Sequence, residues 1–158
     1  MKNIFILLLL MCSCTSLEKE YNTHLKNGLK TYGNVIDVNL NFIDGVSIKK
    51  IAFIKKSDEK KDLVIRLNDN IKSSEIERYS LAIKTYLDKE KYKDILNGKE
   101  YISTPIKPNL LIINEFKYII TPYNFKIESA IKIEFFLFDR DKFRKVLSKP
   151  IIINNISI

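Results

Sequence analysis

Histidine, cysteine and glycine are scarce in this chain of 158 residues. The only histidine is His24, the two cysteines are Cys12 and Cys14, and the four glycines are scattered. A phosphate-binding loop needs clustered glycines, and a catalytic triad or a zinc site needs several histidine or cysteine donors. The sequence therefore predicts that the protein is not an enzyme and has no catalytic residues, no bound metal and no cofactor.

Carboxylates and lysines are abundant, but their positions have structural explanations. Asp58 and Glu59 lie among lysines, Glu77 fits a helix capping box, and Asp139 and Asp141 fall in a predicted turn. The formal net charge is +8, and the lysines are spread along the whole chain, which is typical of a solvated surface. We therefore predict no acid–base pair, no calcium loop and no nucleic-acid partner.

The first residues of the chain have the pattern of a signal peptide. Lys2 precedes the apolar run Ile4–Met11, which is far shorter than the roughly 20 residues that a membrane-spanning helix needs. The run ends in Met11-Cys12-Ser13-Cys14, which resembles the bacterial lipobox, where an apolar residue and two small residues precede a cysteine. In this respect the chain is similar to exported bacterial lipoproteins.

This resemblance implies a lipid anchor on Cys14. The sulfur receives a diacylglyceryl group, signal peptidase II cuts after Ser13, and the new amine is acylated with a fatty acid such as palmitate. Cys12 is the alternative acceptor, although Met11 before it is larger than the residue that the peptidase favours. An ordinary secretory signal and a buried N-terminal helix are the other interpretations of the segment. The expected location is the cell envelope, on a membrane that borders the periplasm, with the outer membrane favoured.

The sequence divides into three parts. Residues 1–13 form the predicted signal peptide, residues 14–34 the lipidated N-terminus and a tether, and residues 35–158 a single α+β domain. The second part is predicted to be a tether because it is polar and contains the breaking pairs Asn27-Gly28 and Gly33-Asn34. A short helix around Leu17–Leu29 is the alternative within it. Removal of residues 1–13 leaves Cys14 as the only cysteine, so no disulfide is expected.

Hydrophobic periodicity predicts strands first and then one long helix. Apolar and polar residues alternate over residues 35–42, as in a strand with one buried face. Residues 48–54 are predicted to form the next strand, and residues 63–67 a third with Leu63, Ile65 and Leu67 on one face. A capping box at Ser74 then predicts a helix over residues 74–97. The apolar stripe of this helix consists of Ile76, Tyr79, Ile83 and Leu87.

The last third of the chain is dominated by β patterns. Strands are predicted over residues 110–120, 125–138 and 143–148, with an added edge strand at 151–153. They would form a C-terminal β-meander. The expected fold class is α+β: a mixed or antiparallel sheet of about six strands with one main helix packed on one face.

The long predicted strand separates its side chains between two faces. One face is predicted to carry Ile127, Ile131, Ile133, Phe135 and Leu137. Phe136 and Phe138 then point to the opposite face. Either a second layer covers these two rings, or they form an exposed apolar patch that contacts a partner or lipid.

The second half of the chain also resembles the end of ABC-type transport auxiliary lipoproteins. The rhythm of Leu111, Glu115-Phe116, Leu137 and Asp139 is similar to the strand pattern of that family, over residues 48–150. The predicted helix over residues 74–97 would match the helix that precedes these strands in the family. The turn Arg140-Asp141-Lys142 replaces the small residues that the family uses there. Similar rhythms occur in outer-membrane assembly lipoproteins and in lipoprotein activators of cell-wall synthases.

The resemblance implies an envelope accessory protein that works through protein contacts, in lipid or ABC-type transport or in envelope assembly. We therefore predict a membrane-anchored, non-catalytic accessory or binding subunit with an envelope protein as partner. The alternative is a surface-exposed lipoprotein that binds a host or environmental ligand.

Overall fold

The computed structural model describes residues 17–43, 45–57, 60–76, 79–107, 109–139, 146–147 and 149–158. These residues form nine β-strands and three short helices. The strands are β1 (Ile36–Ile43), β2 (Val46–Ser57), β3 (Lys60–Leu67), β4 (Tyr79–Tyr86), β5 (Ile102–Ile106), β6 (Leu110–Ile113), β7 (Phe116–Pro122), β8 (Ser129–Asp139) and β9 (Ile151–Ser157). The helices are α1 over residues 17–26, α2 (Ser73–Ile76) and α3 (Lys93–Leu96).

The strands form two antiparallel sheets that pack face to face. The first sheet has the order β1-β2-β3-β7-β6, and the second has the order β5-β4-β8-β9. Phe53 and Ile65 of the first sheet share one apolar core with Ile83 and Phe135 of the second. Because side chains alternate along each strand, one face of each sheet supplies this core and the other points away from it.

Helix α1 covers the outer face of the first sheet. Tyr21, Leu25 and Leu29 are spaced by four residues, so they lie on one side of α1 and its exit. They are buried in a second apolar cluster with side chains of β2, β3 and β7. The tether predicted over residues 14–34 is therefore wrong for residues 17–34, whose polar composition concealed an apolar stripe; residues 14–16 lie outside the described residues.

The long helix predicted over residues 74–97 is also wrong. Only α2 and α3 are helical there, and β4 lies between them. Leu81, Ile83 and Thr85 point into the core, whereas Lys84 and Tyr86 point outward, so the segment follows a period of two. Pairing with β5 on one side and β8 on the other satisfies its backbone groups, which is tertiary context that the local pattern does not contain.

The predicted α+β class is confirmed only in the sense that the structure contains antiparallel strands and some helix. The nine described strands form two sheets rather than one sheet of about six, and the helices are short. The predicted C-terminal β-meander is wrong, because β7 and β8 lie in different sheets. The predicted strand 110–120 is divided into β6 and β7 by a tight turn in which Asn114 has φ 53°. Of the predicted return strand 143–148, residues 143–145 and 148 lie outside the described residues, and Val146 makes a single bridge to Phe138.

The two ends of the sandwich are marked by different residues. At one end the Lys61 Nζ donates hydrogen bonds to the carbonyl oxygens of Ile127 and Ile158, at 3.2 and 2.8 Å. At the other end Gly45 follows β1, and the Asn68 side chain bonds its carbonyl oxygen. We call these the Lys61 end and the Gly45 end.

In the described part of the chain, no helix is long and apolar enough to cross a membrane.

Candidate functional site

The outer face of the second sheet differs from the outer face of the first. Helix α1 lies over the first sheet, whereas the outward side chains of β4 and β8 are only partly buried. Cross-strand pairing sets Phe136 opposite Ala82 and Phe138 opposite Ser80 on this outer face. The outer face of the second sheet is therefore the candidate site.

Phe136 and Phe138 form the apolar half of this face. Phe135 and Leu137 are fully buried in the core, so the prediction that the neighbouring phenylalanines point to the opposite face is confirmed. The two phenylalanine rings stack with their centroids 6.3 Å apart. Val146, 47% exposed, is paired with Phe138. Together with Ile152, which is 48% exposed on the adjacent strand, these side chains define the aromatic patch: Phe136, Phe138, Val146 and Ile152.

The other half of the face places lysines over aromatic rings. The Lys84 Nζ lies 4.6 Å from the ring centre of Tyr101 and 4.9 Å from that of Phe136. The Lys132 Nζ lies 4.0 Å from the ring centre of Tyr86. Each contact is a cation–π interaction, in which the face of the ring attracts an ammonium group that remains partly hydrated.

Glu134 links Tyr86 and Lys132 in the polar half of the face. It accepts hydrogen bonds from the Tyr86 hydroxyl at 3.0 Å and from the Lys132 Nζ at 2.7 Å. Partial burial raises the pKa of Glu134, but the Lys132 and Tyr86 bonds outweigh it, so the pKa falls below the usual value. Burial and the Glu134 bond raise the pKa of Tyr86 to about 12. Near neutral pH the carboxylate is charged and the phenol is neutral, as in a fixed structural network.

An open depression of about 470 Å³ lies on this face toward the Lys61 end. It is lined by residues that include Tyr86, Leu87, Ile131 and Lys132. Ile131 was predicted to face the core, yet it is 53% exposed. Ala130 and Ile133 are buried on either side of it, so the inward–outward alternation of β8 breaks here, beside Asn155 of β9, whose φ is 53°.

His24 lies in α1 and holds the helix to the loop that follows it. Its Nδ1 is 2.9 Å from the Thr31 Oγ1, its Nε2 is 3.4 Å from a carboxylate oxygen of Glu20, and its ring meets Tyr32 edge to face. These contacts give the buried ring a structural role in packing residues 17–34.

The described carboxylates do not converge. Asp62 accepts a hydrogen bond from the Tyr21 hydroxyl at 2.7 Å, which helps to raise the pKa of that buried phenol well above its usual value. Asp139 is buried at the end of β8, not in a turn as predicted. Asp58, Glu59 and Asp141 lie outside the described residues. Among the described residues, no group of three histidine, cysteine or acidic side chains could hold a metal ion.

The structure brings together only part of what the sequence singled out. Phe136 and Phe138 lie side by side, whereas Cys12 and Cys14 lie outside the described residues. Sequence reasoning missed Lys84 and Tyr86, which lay in the predicted long helix. The signal that would have found them is the alternation from Leu81 to Thr85, which places every second residue outward.

The sequence matches no protein-family model, no curated protein and no solved structure. The resemblance to ABC-type transport auxiliary lipoproteins therefore stays a prediction from strand rhythm. One of its elements is lost, because the helix that was expected to match the family over residues 74–97 is not formed.

Proposed function

We propose that this chain is a lipid-anchored, non-catalytic accessory subunit of the cell envelope, which contacts a protein partner through the outer face of its second sheet. The observation that carries the proposal is the aromatic patch, an apolar surface on the sheet face that α1 does not cover. The sequence Met11-Cys12-Ser13-Cys14 supports the anchor by its similarity to the lipobox.

The composition of the face favours a protein as the partner. Protein interfaces are enriched in aromatic side chains at their centre and carry polar groups at the rim. Here Phe136 and Phe138 lie together, and Lys84 and Glu134 lie beside them on the same face. Burial of apolar area against a partner stabilises a complex by about 25 cal/mol per Å² before the costs of association.

The polar groups of the face favour binding over catalysis. Glu134 is held by two hydrogen bonds and Lys132 lies over the ring of Tyr86, so both charges have partners already. A general base needs a pKa near the working pH, whereas the pKa of Glu134 is shifted downward and that of Tyr86 is raised to about 12. These shifts move the two groups away from that range.

The anchor is tested by single substitutions of the two cysteines. We expect Cys14→Ala to lose the incorporation of labelled palmitate and to move from the membrane fraction to the supernatant. Cys12→Ala is the matched control and should keep both properties, because the implied lipid acceptor is Cys14. Label that disappears only in Cys12→Ala would move the anchor to Cys12, and an unlabelled wild-type chain would contradict the anchor altogether.

The partner surface is tested by crosslinking in cells. A photoreactive amino acid at Ile152 is expected to give one crosslinked envelope protein, and the double substitution F136S/F138S should reduce that product by about tenfold or more, since buried aromatic contacts at an interface centre contribute about 2 kcal/mol. Leu40→Ser is the control, because Leu40 is 47% exposed on β1 of the other sheet. Equal loss in the control and in the double variant would contradict the assignment of this face, as would crosslinks only to ligands from outside the envelope. Thermal unfolding of each purified variant verifies that it is folded.

A further inference from the structure

The chain between the proposed lipid anchor and the fold is very short. Only Thr15 and Ser16 separate Cys14 from Leu17, the first described residue of α1. Consecutive Cα atoms are 3.8 Å apart, so the Cα atoms of Cys14 and Leu17 are at most about 11 Å apart in any conformation. A 21-residue tether would have allowed a far longer reach.

Helix α1 is fixed to the first sheet by specific contacts along its length. The Tyr21 hydroxyl donates to Asp62, and the Tyr118 hydroxyl donates to the carbonyl oxygen of Leu25, each at 2.7 Å. After the helix, the Tyr32 hydroxyl donates to the carbonyl oxygen of Phe53 at 2.6 Å. These bonds surround the buried apolar stripe, so Leu17 moves with the sandwich and not independently of it.

The N-terminal part of α1 lies at the Lys61 end of the sandwich. Tyr21 bonds Asp62, the neighbour of Lys61, and Leu17 lines a small cleft with Ile54 and Lys55 near the end of β2. The described residues of α1 that point away from the sheet are polar: Glu18, Lys19, Glu20, Asn22, Thr23 and Lys26. The apolar side of the helix is used by the sheet, so α1 is not built to insert into a bilayer.

The aromatic patch lies toward the opposite end. Strand β8 begins next to Ile127, which Lys61 contacts, and its far end at Asp139 pairs with Tyr79 at the start of β4. From Ser129 the strand advances five residues to Glu134, the partner of Ile152, and nine residues to Phe138, which at about 3.3 Å each is about 17 to 30 Å. The same sandwich therefore holds its anchored end and its patch far apart.

We infer that the lipid on Cys14 holds the Lys61 end of the sandwich against the anchoring bilayer and presents the aromatic patch away from that bilayer. This inference rests on the proposed lipidation of Cys14. The surface that the Lys61 end contacts is then the anchoring membrane, because the two residues between Cys14 and Leu17 are too few to let this end move away from the bilayer. It also means that the patch meets a protein that extends from the bilayer and does not meet the lipids beneath it.

The orientation is measured by fluorescence quenching in vesicles. Cleavage before Cys14 leaves no unmodified cysteine, so one introduced cysteine can be labelled selectively. Full-length, lipidated Lys19→Cys, Asn70→Cys and Val146→Cys proteins are labelled and reconstituted into phosphatidylcholine–phosphatidylglycerol vesicles that contain a headgroup nitroxide lipid. We expect most fluorescence to be lost at residue 19 and little at residues 70 and 146, because Asn70 lies two residues from Asn68 at the Gly45 end and Val146 pairs with Phe138 near the far end of β8.

A longer tether provides the control. Insertion of 20 glycine and serine residues between Ser16 and Leu17 gives a flexible span of about 25 Å, so quenching at residue 19 should fall toward that at residue 70. Equal quenching at residues 19, 70 and 146 in a chain that carries the lipid would overturn the orientation alone. Absence of lipid from Cys14, measured by mass spectrometry of the same preparation, would instead overturn the proposed function.

Discussion

A chain that begins at Val35, where the sequence pattern places the start of the domain, is expected to fail to fold. It lacks α1 and the loop after it, which cover the outer face of the first sheet. Ile54, Val64 and Tyr118 are almost fully buried beneath them, and truncation would expose these side chains. Asp62 would lose its bond from Tyr21 as well. Far-UV and near-UV circular dichroism of the chains 15–158 and 35–158 would measure the difference.

A point substitution isolates the contribution of α1. Leu25→Ala in the chain 15–158 should lower the free energy of unfolding by about 2–5 kcal/mol, because the leucine is buried and its removal leaves a cavity. Asn22→Ala is the matched control on the exposed side of the same helix, with an expected change within about 0.5 kcal/mol. Urea unfolding of both variants provides the comparison. Equal, small effects would restore the tether interpretation of residues 17–34.

Local patterns predicted the strands that lie beside clear turn signals. The alternation before Asp44-Gly45 matches β1, and the strand predicted over residues 48–54 matches the middle of β2. The strand predicted over residues 63–67 matches the inner part of β3. The helix over residues 74–97 failed because Tyr79, Ile83 and Leu87 are spaced by four, which suits a helix, while residues 81–85 also alternate as in a strand. Only the neighbouring strands β5 and β8 decide between these periods, and they lie elsewhere in the sequence.

The candidate site was predictable to the extent that it depends on one strand. The outward direction of Phe136 and Phe138 follows from the burial of Phe135, since side chains alternate. Lys84 and Tyr101 reach the same face only through the pairing of β4 with β8 and β5, which joins distant segments. The sequence contains the residues of this face, but not the pairing that assembles them.

Gly28 is expected to be the most sensitive of the described glycines. The sequence pattern treats Asn27-Gly28 as a break in a tether, whereas in the structure Gly28 has φ 65° at the exit of α1. A Cβ at this position would lie 2.8 Å from the Phe116 Cζ and 2.9 Å from the Arg66 Nη1. Arg66 is held there because it lies 4.2 Å from the Phe116 ring centre and donates to the Gly28 carbonyl oxygen at 3.1 Å.

Gly28→Ala should therefore lower the free energy of unfolding by about 2–4 kcal/mol, of which about 1 kcal/mol comes from the left-handed backbone and the rest from displaced side chains. Two other glycines separate these contributions in urea unfolding. Gly45 has φ 82° but open space around it, so Gly45→Ala should cost about 1 kcal/mol. Gly33 has open space and no positive φ, so Gly33→Ala should be neutral or stabilise by a few tenths of a kcal/mol, because alanine restricts the unfolded chain. Equal losses at Gly28 and Gly45 would show that the exit of α1 does not press on Phe116 and Arg66. The cover over the first sheet would then depend on the buried stripe of α1 and on the tyrosine hydrogen bonds that fix it.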